Sequence, residues 1–166
     1  MNNLQYEYEQ GRKAAMEMLH SVIIRFPPAM VNDFATYLFL PLVVSLVEDE
    51  SGKCRQMVAQ LLKELLQRVD AARLGSLVNF CHQWYGEPGG RLQRAAAQVT
   101  GLVVEVMGAN FNSELPRFLP LMASQVQLAQ LDGDEDEQAD KDEDDEEEEE
   151  EEEGPPQGWD TLYYSL

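Results

Sequence analysis

Apolar residues recur at helical spacing from residue 14 onward. Ala14, Ala15, Met18, Leu19, Val22, Ile23 and Phe26 alternate by one and three, which sets them on one face of a helix. Pro27-Pro28 stops that helix and starts the next. The second helix, roughly Ala29 to Val47, is apolar nearly all round, with Phe34, Tyr37, Leu38, Phe39, Leu40, Leu42, Val43, Val44 and Leu46. A helix of that kind must be covered on both sides. The third has an unbroken stripe of Cys54, Met57, Val58, Leu61, Leu62, Leu65, Leu66 and Val69, with Lys53, Arg55, Lys63 and Arg68 outside it. A fourth, about Ala71 to Tyr85, carries Leu74, Leu77, Val78, Cys81 and Trp84. The fifth carries Leu92, Ala95, Ala96, Val99, Leu102, Val103, Val106 and Met107 and ends at Gly108, a left-handed cap by this reading. A sixth, about Ser113 to Leu131, shows Leu115, Phe118, Leu119, Met122 and Val126. β-Branched runs such as Val22-Ile23-Ile24 lie inside this periodicity, so the predicted fold class is all-α.

The helices also repeat. The run from Phe39 to Val47 recurs from Phe118 to Val126, with Pro41 matching Pro120, 79 residues on. Half of that offset carries Leu38 onto Leu77 and Leu42 onto Cys81, and Lys53, Met57 and Leu61 map onto Arg91, Ala95 and Val99 at an offset of 38. A helix pair recurring every 38 to 40 residues has the period of a HEAT or armadillo-like α-solenoid. Three such pairs, over residues 1–131, make about the smallest stable block. The matched prolines would each remove one helical hydrogen bond and bend their helices at the same place.

Charge divides the chain. The formal net charge is −19, yet residues 132–153 alone hold 18 acids and one base, and residues 1–131 hold 12 acids against 11 bases. The three predicted segments are therefore the repeats over 1–131, an acidic low-complexity, disordered stretch over 132–158, and the start of a further helix over 159–166. The acidic stretch includes Asp142, Glu143, Asp144, Asp145, Glu146, Glu147, Glu148, Glu149 and Glu150. It could attract basic proteins, or be a loop insertion kept soluble by charge. The N-terminus has no basic start followed by an apolar run, so no signal peptide is read there. The most apolar stretch, Ala35 to Val47, falls short of the ~20 residues that a membrane span needs.

Little in the repeats suggests chemistry. Cys54 and Cys81 fall on apolar stripes and read as small buried thiols. Cys81 and His82 are adjacent and diverge by about 100° on a helix, so they do not share a metal ion or form a nucleophile pair. No enzyme activity, cofactor, metal or small-molecule substrate is expected. Six bases stand apart: Arg12, Lys13, Lys53, Arg55, Arg91 and Arg94 recur near the start of each odd helix. Stacked repeats would align them as a ladder suited to RNA phosphates or an acidic protein. The simpler reading is a solvated face paired with Glu17, Glu48, Asp49 and Glu50. Against it, positive charge at helix N-termini opposes the macrodipole.

Several of these motifs resemble one family. Tyr37-Leu-Phe-Leu-Pro-Leu-Val43, Ser51-Gly-Lys-Cys-Arg55, Met57-Val-Ala-Gln-Leu-Leu62 and Ala97-Gln-Val-Thr-Gly-Leu102 are similar to the C-terminal region of the U3 small nucleolar RNA-associated, or small-subunit processome component 20, family. Trp159-Asp-Thr-Leu-Tyr-Tyr-Ser-Leu166, after the acidic break, is similar to the start of the following helix there. The resemblance implies a fragment of a much longer HEAT-repeat protein whose open ends would expose apolar stacking surface. It also implies a non-catalytic scaffold in nucleolar small-subunit assembly, with processome proteins and pre-ribosomal RNA as partners. Two other readings remain from the residues: a HEAT-type transport or cargo adaptor, and an acidic chaperone for basic proteins.

Overall fold

The computed structural model describes residues 2–87 and 90–127. After a single 3-10 turn over Asn2–Gln5 come α1 (Glu9–Arg25), α2 (Pro28–Glu48), α3 (Gly52–Arg68), α4 (Ala71–Trp84) and α5 (Arg91–Met107). A 3-10 segment, Gly108–Ser113, leads to α6 over residues 115–127. Among the described residues there is no strand, as the all-α reading expects. Met1–Met122 form one compact unit. The acidic residues from Asp142 to Glu150 and the segment expected to begin a further helix lie outside the described residues.

Local chemistry explains the helix ends. Pro28 occupies the first turn of α2, where a missing N–H leaves no helical bond unmade. Ser51 Oγ caps α3 by accepting from the Cys54 amide at 3.3 Å, and Asp70 caps α4 by accepting from the Arg73 amide at 2.7 Å. Gly108 follows α5 with φ +53° and ψ −129°. The positive φ suits glycine, but the ψ lies outside the left-handed helical region expected of a simple cap. Pro41 and Pro120 both sit inside helices that continue past them.

The core is organised around α3. Its Cys54, Val58, Leu61, Leu62, Leu65 and Leu66 are all buried, and α1, α2 and α5 all pack on it. α2 supplies eight buried residues, among them Phe39 and Leu42, and α5 supplies Ala95, Ala96, Val99, Thr100 and Val103. Phe39 stacks on Trp84 of α4 at 6.0 Å between ring centres, and Phe118 of α6 closes edge-on against Tyr85 at 6.1 Å. The closest neighbours are α2 with α3, then α1 with α3 and α4 with α5. Odd helices also meet odd helices, α1 on α3 on α5, while α2 meets α4, as stacked repeats require.

Polar bridges follow the same period. Asp70 N–H donates to Asn32 Oδ1, and Arg117 Nη2 donates to Asn79 Oδ1, each across 38 residues. Arg68 donates to the Ile24 and Phe26 carbonyls at 2.9 and 2.7 Å, satisfying groups at the end of α1. Lys63 and Glu105 pair α3 with α5, and His20 lies 3.2 Å from Glu64 between α1 and α3.

Two readings of the pattern need correction. The periodicity sets Ala14, Met18 and Phe26 on one face with Ala15, Leu19 and Ile23, but those first three are exposed, Met18 by 57%, while Met16, outside that pattern, is fully buried. The apolar arc of α1 is wider than the single face that α3 can cover, and α3 takes the Ala15, Met16, Leu19 and Ile23 side. Nor is α2 covered on both sides: Met30, Phe34, Tyr37, Leu40 and Val44 are exposed. The apolar stretch of α2 is also longer than the sequence reading gave. This 21-residue helix is long and apolar enough to cross a membrane by length and composition, although its other face is buried in the helical core.

The central position of α3 makes a direct expectation. Leu62→Ala should lower stability by about 2–5 kcal/mol, because a fully buried leucine leaves a cavity. Leu62→Asp should prevent cooperative folding by burying an unpaired charge. Tyr37→Ala, at a position 74% exposed, should change stability by no more than about 0.5 kcal/mol. Thermal melting followed by circular dichroism separates the three; similar melts for Leu62→Ala and Tyr37→Ala would remove α3 from the centre.

Candidate functional site

The six bases singled out in the sequence all lie in the first turns of α1, α3 and α5. Those helices contact one another in that order, and Arg12, Arg55 and Arg91 all bond to the segment 48–50, at one edge of the stack. Their individual commitments differ sharply.

Arg12 is engaged on every side. Its Nε and Nη2 grip both oxygens of Asp49 at 2.9 and 3.0 Å, a bidentate fork, while Nη1 donates to the carbonyls of Tyr6 and Glu7 at 2.9 and 3.0 Å. The bonds to Asp49 push the guanidinium pKa up, so it is charged at every accessible pH. Asp49 Oδ1 also accepts from the Ser51 amide at 2.9 Å. One carboxylate thus joins α1 to the turn between α2 and α3. Arg55 Nη1 donates to the Asp49 and Glu50 carbonyls at 2.6 and 3.1 Å, holding the same turn from the other side. Lys13 pairs with Glu9 one turn back, and that contact holds the Glu9 carboxyl below its usual range.

The remaining bases are more available. Arg91 meets Glu48 at 2.9 Å but is 76% exposed, so water competes for that pair. Lys53 and Arg94 are exposed, and neither forms an ion pair with a described residue. The ladder therefore divides into bases that hold the fold and bases that face solvent. Sequence reasoning named Asp49 only as a possible neutralising partner and missed its place at the centre of the bonds around the α2–α3 turn. It also missed Asn32 and Asn79, whose side chains bond to Asp70 and Arg117.

The sulfur and imidazole groups stay apart from one another's chemistry. Cys54 and Cys81 are free and buried. Burial pushes the Cys81 thiol up to about 12, so it is protonated at neutral pH and no nucleophile; its Sγ donates to the Leu77 carbonyl at 3.5 Å. His82 packs its ring edge-on to Phe118 at 5.4 Å. Among the described residues no group of three or more His, Cys, Asp or Glu side chains could hold a metal ion.

No protein-family model matches the chain. Over 120 residues, 71% of its length, the chain is 31% identical to the U3 small nucleolar RNA-associated protein 20 of Schizosaccharomyces pombe. Over 84 residues, 51% of its length, it is 29% identical to the protein of the same name from Saccharomyces cerevisiae. These stretches are 5% and 3% of the two relatives, so the chain matches only a small part of either. The resemblance seen in the motifs of α2, α3 and α5 is borne out.

The buried thiol sets an alkaline limit. Its folded pKa lies above the ordinary 9.0, so the folded state keeps a proton that the unfolded state loses. This contribution to stability is complete below about pH 9 and falls as pH rises toward 12. Burial raises the Tyr85 phenol in the same sense. Iodoacetamide at pH 8 should leave Cys54 and Cys81 unmodified in the folded chain and label both in denaturant. Rapid native labelling of Cys81 would contradict its place in the core.

Proposed function

We propose that this chain is a non-catalytic interaction module of the small-subunit processome, acting in the nucleolus during pre-ribosomal RNA processing. The observation that carries this reading is the 31% identity over 120 residues to a protein named for its association with U3 small nucleolar RNA. The fold suits the role, since stacked helices offer long edges for partners. Pre-ribosomal RNA and other processome proteins are the proposed partners. Of the six bases, Lys53, Arg91 and Arg94 supply the phosphate contacts, because Arg12, Lys13 and Arg55 are held by Asp49, Glu9 and the α2–α3 turn. The acidic tract would draw basic partners toward the same particle.

Binding of the full chain to a labelled U3 or pre-ribosomal RNA fragment, measured across salt concentration, tests this reading. Lys53→Glu with Arg94→Glu should weaken binding regardless of RNA sequence and reduce the salt slope by about 1–2, reflecting the lost phosphate contacts. The melting temperature should be unchanged, since neither residue bonds to the core. Arg12→Glu should instead lower stability by detaching α1 from Asp49. Unchanged RNA binding in the double variant would remove the basic edge from the proposal.

A further inference from the structure

A different surface lies along α2. Met30, Phe34, Tyr37 and Val44 are spaced by four, three and seven residues, which aligns them on one face of the helix. All four are exposed, from 38% at Val44 to 74% at Tyr37, and Leu40 lies beside the row at 43%. One more turn along the same line brings Glu48, the last residue of α2. There the row runs into an open pocket of about 440 Å³. Leu4, Tyr6 and Val44 give it apolar walls, and Glu7, Glu48 and Glu50 give it carboxylates. Val44 belongs to both the row and the pocket, so they form one continuous surface.

The charge in this pocket is not cancelled from within. Arg12, also in the lining, is spent on Asp49 and two backbone carbonyls. Arg91 reaches Glu48 from α5, but it is largely solvated. Glu7 and Glu50 form no ion pair with a described residue. The C-terminal end of α2 adds the negative partial charge of its helix dipole.

We propose that this surface docks one amphipathic helix of another protein, with apolar residues along the α2 row and a lysine- or arginine-bearing end in the pocket. Amphipathic helices are held by apolar anchors at helical spacing, with aromatic side chains often dominant. Phe34 and Tyr37 offer such anchors, while the three carboxylates offer a charge match at one end. Charge argues against two other occupants. A second copy would bring the same carboxylates and another chain of net charge −19, and an anionic bilayer would be repelled by both. The inference does not depend on RNA binding at the basic edge.

The test uses the full chain and a fluorescein-labelled amphipathic peptide with leucines at alternating three- and four-residue spacing and lysines at its C-terminal end. A matched peptide carries glutamates in place of the lysines. The lysine peptide should bind at least about tenfold more tightly, by anisotropy. Phe34→Ser with Tyr37→Ser should weaken it by about tenfold or more, with the helical circular dichroism signal retained because both residues are exposed. Glu7→Lys with Glu50→Lys should reverse the preference between peptides, and the reversal should persist when residues 132–153 are deleted, which separates the pocket from the acidic tract. Equal binding of the two peptides, or binding indifferent to the Phe34 and Tyr37 substitutions, would overturn the proposal. So would concentration-dependent dimerisation, or binding to neutral phosphatidylcholine vesicles, that the same two substitutions abolish, since either would assign the row to another occupant.

Discussion

The burial of α3 on more than one side is the constraint from which the rest follows. Cys54, Val58, Leu61, Leu62, Leu65 and Leu66 form a stripe wide enough to meet α1, α2 and α5 together. None of those three helices could bury its own apolar residues against water-exposed neighbours alone. α2 is the extreme case, since eight of its side chains find cover only because α3 and the helices beyond it are in place. Apolar burial is worth roughly 25 cal/mol per Å², so a helix with that many covered side chains is held by packing far more than by propensity. The buried side of α2 is structural for this reason, and its open side is free for recognition.

The polar contacts then fix the register that packing leaves loose. Apolar stripes can slide with little penalty, whereas the fork of Arg12 on Asp49 has one good geometry. Asn32 accepts from the Asp70 amide and Asn79 from the Arg117 guanidinium, two different bonds that each tie together residues 38 apart. The same residues that fix the stack reduce the set available for partners. Arg12 and Arg55 look like ligands for phosphate when viewed as charges, yet both are committed to the turn around Asp49.

Much of this was legible in the sequence, for identifiable reasons. The stripe of α3 is strict, so Leu62 and Leu65 could be assigned to the core from spacing alone. The stacking of like helices followed from the 38-residue offset. What spacing could not give was the choice of face where apolar residues surround a helix. Met16 and Met18 of α1 differ by two positions and almost opposite burial, and only the position of α3 decides between them. The candidate site was half legible in the same sense. Six bases at helix starts were evident, but their division into bound and free depends on where Asp49 and Glu48 fall in space.

Recovery of RNA with the full chain from cells tests the central claim, that this helical block works within a U3-associated particle, most directly. The tagged chain would be purified at moderate salt and U3 small nucleolar RNA quantified against other abundant small RNAs. Selective enrichment of U3 is expected, retained when residues 132–153 are deleted and lost in Leu62→Asp, because recognition requires the folded repeats. Absence of U3 enrichment, or enrichment that vanishes with the acidic tract while the unfolded variant keeps its partners, would contradict it and favour an acidic chaperone instead.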